Sequence, residues 1–534
     1  MDPKNRKFKD LSDCENEPQL SPRLNSKIRA DVTERMQKIR EVLDQAGHRL
    51  NEVVAEAVSG IEKISTLESV EGTTGNTPHA ENKIRQEHGK LPEKCFQTRN
   101  SLLTDLFNEG KHLKAVYNVW AAILFLLFLH TISHDLIETG TVQLGFLTIF
   151  IGFDQFTQVI KIWLLMTLSS FAVYICHSFW AHQRVKFQPN SVVMEIWDYT
   201  WLSMLIVYQS AFLYIPVQAV LLARFPPPSA LIVTMEQVRM MMKIHAFVRS
   251  TSPRVIDYKP HTEGREMNYP GFSKFLYFMF APTLIYRDNY PRTKEIRWSF
   301  VVSCFVQVIF VMFFVAFVYE RFISPTYRDY GRDPITLRNF TPKLFNSMLP
   351  GMGMYMCGFY CLLHSWFNAW AELLTFGDRL FYRDWWTATS FDAFYRNWNI
   401  VVHDWLYTYL YKDFYEIIVP GNKHVAMFIV FAVSALFHEF ILSISFRLFY
   451  PMLFILFGGI GYPLVYITRK TPRNFGNLFL WLLLSFGNGL LLTFYSSEYY
   501  ARVNCSGYKD QIMDAFVPRS LLCNSTSPVQ GSFI

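Results

Sequence analysis

From Val116 to Tyr495 the chain alternates long apolar runs with shorter polar stretches. Hydrocarbon offers the backbone no water, so a run of about 20 apolar residues crosses a bilayer only as a helix that satisfies its own N–H and C=O groups. Such runs lie near Val116–Ser133, Val159–Trp180, Trp197–Leu222, Val301–Val318, Phe345–Leu373, Val425–Phe446, Phe449–Ile467 and Leu478–Tyr495. A further run, Ala230–Val248, carries Glu236, Arg239 and Lys243 and reads as an interfacial or core-facing helix. The expectation is an all-α polytopic membrane protein of about nine helices. Charged residues make up 18%, below the roughly 25% of soluble domains. The net charge of +7 suits anionic membrane surfaces and phosphate ligands but selects no partner. The opening MDPKNRKFKD is polar and charged with no apolar core behind it, which predicts no cleaved signal peptide.

One run differs from the rest. Met427–Phe446 carries His438 and Glu439 near its middle. Ionisable groups at that depth are expensive and face a protein interior or a water-filled cavity. Ser434 lies one helical turn before His438 and shares its face, whereas Glu439 points about 100° away. A histidine takes and returns a proton near pH 7, which suits a catalytic base. A histidine that only hydrogen-bonds a neighbouring helix fits this stretch equally well. His364, in another run, reads as packing.

Residues 1–100 are polar. Val32, Met36, Ile39, Leu43, Ala46, Leu50, Val53 and Ala57 step by threes and fours, the seam of a coiled coil or the apolar face of a helix lying on a membrane or on the protein body. The domain expectation is therefore a largely disordered region 1–100 with an oligomerisation helix near 28–66, a transmembrane domain 101–500 and a tail 501–534. The basic loop Thr468–Arg473 favours the cytoplasmic side. Counting spans from it puts Gly377–Asn422 and the N-terminus in the cytoplasm and the tail in the lumen. There Cys505 and Cys523 can form a disulfide, and Asn524-Ser525-Thr526 is a glycosylation sequon. Cys176, Cys304, Cys357 and Cys361 sit in apolar runs and read as packing residues.

Gly377–Asn422 interleaves an aromatic belt with Arg379, Arg383, Asp384, Arg396, Asn399, His403, Asp404 and Lys412. Cations at a membrane-facing mouth suit a phosphate-bearing ligand arriving from the cytoplasm. Within it, Phe381-Tyr382-Arg383-Asp384-Trp385-Trp386 resembles the FYxDWW signature of the membrane-bound O-acyltransferases that esterify sterols and diacylglycerol, with Thr387 where the family has Asn. Tyr395–Asn399, Val402–Trp405 and Ser434–Glu439 resemble the family too. Phe280–Arg292, FAPTLIYRDNYPR, is similar to the sterol O-acyltransferases and unlike the diacylglycerol enzymes. The resemblance runs from about Leu103 to Cys523. It implies a nine-helix bundle around an intramembrane chamber, assembled as dimers or tetramers in the endoplasmic reticulum membrane. It implies catalytic roles for His438 and Asn399, and acyl-CoA contacts at Tyr395, His403, Tyr411, Lys423 and Ser434. A sterol-side contact of the family falls on Ala393, which has no polar group.

The expected reaction is acyl transfer from a coenzyme A thioester to a sterol 3-hydroxyl, with His438 as general base and Asn399 as donor to the carbonyl oxygen. Acyl-CoA is then a co-substrate, and no cofactor is expected. No metal site is expected either: Leu442 occupies the second histidine position of an H-E-x-x-H pattern, and no Walker A run or G-x-S-x-G elbow occurs. A diacylglycerol acyltransferase is the nearest rival. A transporter or lipid-binding scaffold is the rival of another class, and Gly377–Asn422 has no inverted counterpart in the other half to support it.

Overall fold

The apolar runs fold as expected in the computed structural model, which describes residues 93–523 except 139, 143, 260–266, 332–335, 509 and 522. The expected oligomerisation helix near 28–66 and the Asn524 sequon lie outside the described residues. We number the principal helices α1 (Lys111–Glu138), α2 (Phe156–Arg184), α3 (Val192–Leu222), α4 (Pro227–Ile256), α5 (Trp298–Val318), α6 (Leu337–Gly358), α7 (Phe367–Leu373), α8 (Phe391–Trp398), α9 (Ile400–Leu406), α10 (Lys423–Phe446), α11 (Tyr462–Thr468) and α12 (Arg473–Asn504). Among the described residues the only β pairing is two isolated bridges, Arg99 with Asp378 and Arg292 with Phe376. Among the described residues six helical runs are long and apolar enough to cross a membrane: Lys114–Glu138, Phe156–Arg184, Val192–Leu222, Trp298–Tyr327, Lys423–Phe446 and Phe475–Asn504.

The other three expected spans are helical but built differently. The polar groups of α4 turn inward. Glu236 accepts from Trp163 Nε1 at 2.8 Å and pairs with Arg239 at 2.7 Å, and Arg239 also reaches the Met279 carbonyl at 2.8 Å. Lys243 is fully buried and donates to the carbonyls of Phe278 and Ala281 at 2.5 and 2.7 Å. This is the core-facing alternative, since in a bundle such charges survive only when paired. The Phe345–Leu373 run is α6 and α7 joined by a π-helical segment, Phe359–Trp366. The Phe449–Ile467 run is a second π-helical segment, Phe454–Gly461, leading into α11. A π turn widens the helix and redirects its side chains, and such turns concentrate at functional sites.

Small residues set the close approaches, as they do where membrane helices pack. A side chain at Gly351 on α6 would place its Cβ 2.9 Å from the Asn488 carbonyl oxygen of α12, and one at Gly489 would meet Met348 Cγ at 2.8 Å. At one end of the bundle Cys505 and Cys523 form the expected disulfide, Cα to Cα 6.0 Å. Gly331, at φ +93°, lies directly against it. Asn504 Nδ2 donates to the carbonyls of Arg328 and Tyr330 at 2.8 Å. The segment after α5 and the tail after α12 therefore meet, as counting spans requires.

Gly351→Val and Gly489→Val should each force α6 from α12 and lower stability by about 1–3 kcal/mol, the usual penalty of overpacking. Gly353→Val, where an added Cβ meets nothing within 4 Å, is the control. Size-exclusion profiles of heated, detergent-solubilised protein read the difference.

Candidate functional site

α10 runs between α4, α3, the π-helical segment Phe454–Gly461 and the segment after α9. With neighbours on so many sides its residues should be buried. Only Ala426, Ala435, Glu439 and Ser445 are. The helix therefore leaves much of its surface uncovered by the described protein, and His438 lies on that exposed part. Its Nδ1 lies 2.7 Å from the Ser434 carbonyl oxygen. A carbonyl only accepts, so Nδ1 must carry the hydrogen, and a neutral ring then has its lone pair at Nε2. Ser434, expected on the same face, thus acts on His438 through its backbone. Phe457 packs on the imidazole, ring centroids 5.5 Å apart.

Glu439 does something else. It is buried, and its carboxylate accepts from the Tyr495 hydroxyl at 2.8 and 2.9 Å, from the Phe454 N–H at 3.0 Å and from Ser443 Oγ at 3.2 Å. These bonds hold α12 and the start of the π-helical segment against α10. They fix Phe457, and so the wall beside His438.

The segment after α7 brings the remaining candidates. Tyr395, on α8, packs its ring on Phe457 at 5.3 Å and on Phe431 of α10 at 5.2 Å. Gly461 makes room for it, since a Cβ there would lie 2.5 Å from the Tyr395 hydroxyl oxygen. Tyr395, Phe457 and His438 therefore form one continuous wall. Asn399 caps α9: its side chain accepts from Val402 N–H at 3.2 Å. That bond uses Oδ1 and leaves Nδ2 to donate elsewhere. His403 is partly exposed beside Asp404, which Lys94 pairs at 2.5 Å. Burial opposes the Asp404 charge, but the neighbouring His403 and Lys94 outweigh it and hold the carboxyl below its usual pKa. Tyr411 stacks between Tyr407 and Tyr415, centroids 5.7 and 5.9 Å apart. Lys423 starts α10 and is exposed. It stands about 22 Å along the axis from His438, at 1.5 Å per residue. The two side chains thus mark positions far apart on one helix. His364, buried, bonds the Tyr382 hydroxyl through Nδ1 at 2.7 Å, a packing role as expected. No group of three or more His, Cys, Asp or Glu able to hold a metal ion occurs among the described residues.

Residues 146–497 match the family model of the membrane-bound O-acyltransferases. The chain belongs to that family. Sterol O-acyltransferase 1 of Mus musculus is 40% identical over 440 residues, covering 82% of this chain and 80% of the relative. Sterol O-acyltransferase 1 of Chlorocebus aethiops is 38% identical over 465 residues, covering 86% and 82%. Sterol O-acyltransferase 2 of Homo sapiens is 33% identical over 489 residues, covering 91% and 90%.

The signature of this membrane-bound O-acyltransferase has a structural reading. Phe381, Tyr382 and Trp385 are buried, and Trp385 lies 4.7 Å from Trp398 and 5.1 Å from Phe359, centroid to centroid. Trp386 lends its carbonyl to Asn477 Nδ2 at 2.9 Å. Asp384 and Thr387 close the turn: Thr387 Oγ1 donates to the Asp384 carbonyl at 2.8 Å and its carboxylate at 3.0 Å. The loop's backbone then brackets Asn399, because Arg383 N–H donates to the Asn397 carbonyl and Ile400 N–H to the Phe381 carbonyl, each at 2.9 Å. The backbone of the motif thus braces the segment that carries Asn399. Phe457 and Tyr495 escaped the sequence reading. The Gly458-Gly459 and Gly461 cluster beside Phe457 was the available signal.

Glu439→Ala strands a hydroxyl and an N–H in a buried place and should cost about 1–3 kcal/mol for each. Tyr495→Phe strands the Leu453 N–H but leaves the carboxylate its bonds from Phe454 and Ser443, and should cost less. Thermal midpoints of the two purified variants, taken together, check the order.

Proposed function

We propose that the chain transfers a long-chain acyl group from coenzyme A to the 3-hydroxyl of a sterol within the membrane. The observation that carries this reading is an exposed histidine, midway along an apolar helix, with its proton fixed on Nδ1 and its Nε2 left as an acceptor. Nε2 of His438 removes the sterol hydroxyl proton as the oxygen attacks the thioester carbonyl carbon. The tetrahedral intermediate collapses, the C–S bond breaks, and the imidazolium returns the proton to the leaving thiolate. Positioned proton transfer of this kind is worth typically 10²–10⁴-fold. The amide Nδ2 of Asn399, held by the cap and the signature loop, donates to the oxygen on which negative charge grows. Keeping bulk water from the site protects the thioester from hydrolysis.

Tyr395, His403, Tyr411, Lys423 and Ser434 line the path of acyl-CoA from the cytoplasm, and the sterol arrives from the lipid. The names of the relatives and FAPTLIYRDNYPR favour a sterol over diacylglycerol as acceptor. The protein resides in the endoplasmic reticulum membrane as a homodimer or homotetramer, with a cytoplasmic N-terminus and a lumenal C-terminus. The disulfide at the tail supports the lumenal assignment, because such bonds persist in oxidising compartments.

Membranes bearing the protein are given labelled oleoyl-CoA with cholesterol or with diacylglycerol. Steryl ester should form, triacylglycerol should not, and His438→Ala should lower the rate by about 10² or more at equal protein level. Undiminished ester formation by that variant overturns the assignment of the base, and triacylglycerol as the main product overturns the acceptor.

A further inference from the structure

Residues 93–100 precede the membrane helices, and the reaction above gives them no task. Yet they are tied across the cytoplasmic face of the site. Glu93 pairs with Arg287 at 2.7 Å. Phe96 packs edge-on against Tyr290 at 5.2 Å. Arg99 grips Asp378 through two hydrogen bonds, at 2.7 and 3.2 Å, and exchanges backbone bonds with Gly377 and Arg379. Through Asp378 the strap is joined to the chain three residues before the signature loop. Between these anchors, Lys94 Nζ meets Asp404 Oδ2 at 2.5 Å, and both side chains are largely covered, at 17% and 22% exposure.

The other oxygen of Asp404 faces His403. Its Oδ1 lies 3.5 Å from His403 Nδ1, longer than a normal hydrogen bond. A partly buried carboxylate with no cation would draw the neighbouring imidazole in and lock it, since an uncompensated charge there is costly. With Lys94 in place the charge is already answered, and the His403 ring stands 3.5 Å off and 38% exposed. The backbone beneath is fixed, because Trp405 Nε1 donates to the Met242 carbonyl at 2.9 Å and Asn399 caps the helix. The orientation of the His403 ring is therefore the variable that Lys94 controls.

We propose that Lys94 is a positioning residue for acyl-CoA: by occupying Asp404 it keeps the His403 ring turned to the donor path. The inference rests on the reading that His403 meets acyl-CoA. It gives the strap ahead of the membrane domain a part in donor binding that neither the family signature nor the apolar pattern contains.

The test uses the full chain in membranes with oleoyl-CoA and cholesterol. Lys94→Met should raise KM for oleoyl-CoA about fivefold with kcat within about twofold, the scale of one partly covered ion pair. Asp404→Asn alone should stay within about twofold of wild type, and Lys94→Met with Asp404→Asn should return KM to near the wild-type value, as a coupled pair requires. A strap that matters only for folding would lower the amount of active enzyme and leave KM unmoved. Rescue by Asp404→Asn supports the inference. An unchanged KM in Lys94→Met overturns it, and so does a raised KM that Asp404→Asn fails to rescue, which would make Lys94 a direct ligand of the donor. Those two results leave ester formation by the wild type intact. A wild type that forms no ester overturns the catalytic reading and this inference together.

Discussion

The hydrogen bond from His438 Nδ1 to the Ser434 carbonyl decides what the membrane interior of this protein can do. Inside a helix that carbonyl already receives an N–H from the next turn, and it accepts a second bond with its other lone pair. The imidazole gains a defined tautomer at no expense to the backbone. Its remaining nitrogen then has one chemical character, that of a proton acceptor, on a side chain that is exposed. The rest of the site follows from keeping that nitrogen accessible while every other polar group nearby is engaged.

The contrast with neighbouring polar residues is physical. Glu439, Glu236 and Lys243 are ionisable residues on membrane-domain helices, as His438 is. Each of them is saturated by partners: a tyrosine hydroxyl and a backbone N–H, a tryptophan and an arginine, two carbonyls. They tie helices together. His438 uses one nitrogen internally and keeps the other. On the proposed reaction, cohesion and chemistry are divided between adjacent residues of one helix, with Glu439 securing the wall beside His438.

Much of this was legible in the sequence. Apolar run length located the helices because hydrocarbon permits little else. The charges in Ala230–Val248 left α4 either interfacial or core-facing, and the partners in the structure decide for the core. The depth of His438 separated it from surface histidines, although depth alone left a packing role equally open. The composite helices were not legible: a π-helical turn such as Phe454–Gly461 has no period of its own in the sequence and arises from the packing around it. Nor was the work of the signature motif. In the sequence it was a resemblance only, whereas its buried rings and backbone bonds to Asn397 and Ile400 show a brace for the segment of Asn399. The Lys94–Asp404 pair joins residues about three hundred positions apart, beyond any local pattern.

The placement of Lys423 has a consequence for selectivity. It opens the helix that carries His438, about 22 Å from it at the rise of an α-helix. A rigid rod with a cation at one end and a base at the other is a gauge. On the proposed reaction it measures the span from the anionic head of the donor to its thioester, and it takes no measure of the hydrocarbon beyond. Thioesters shorn of the nucleotide would miss one mark or the other, whereas fatty tails of different length would register alike.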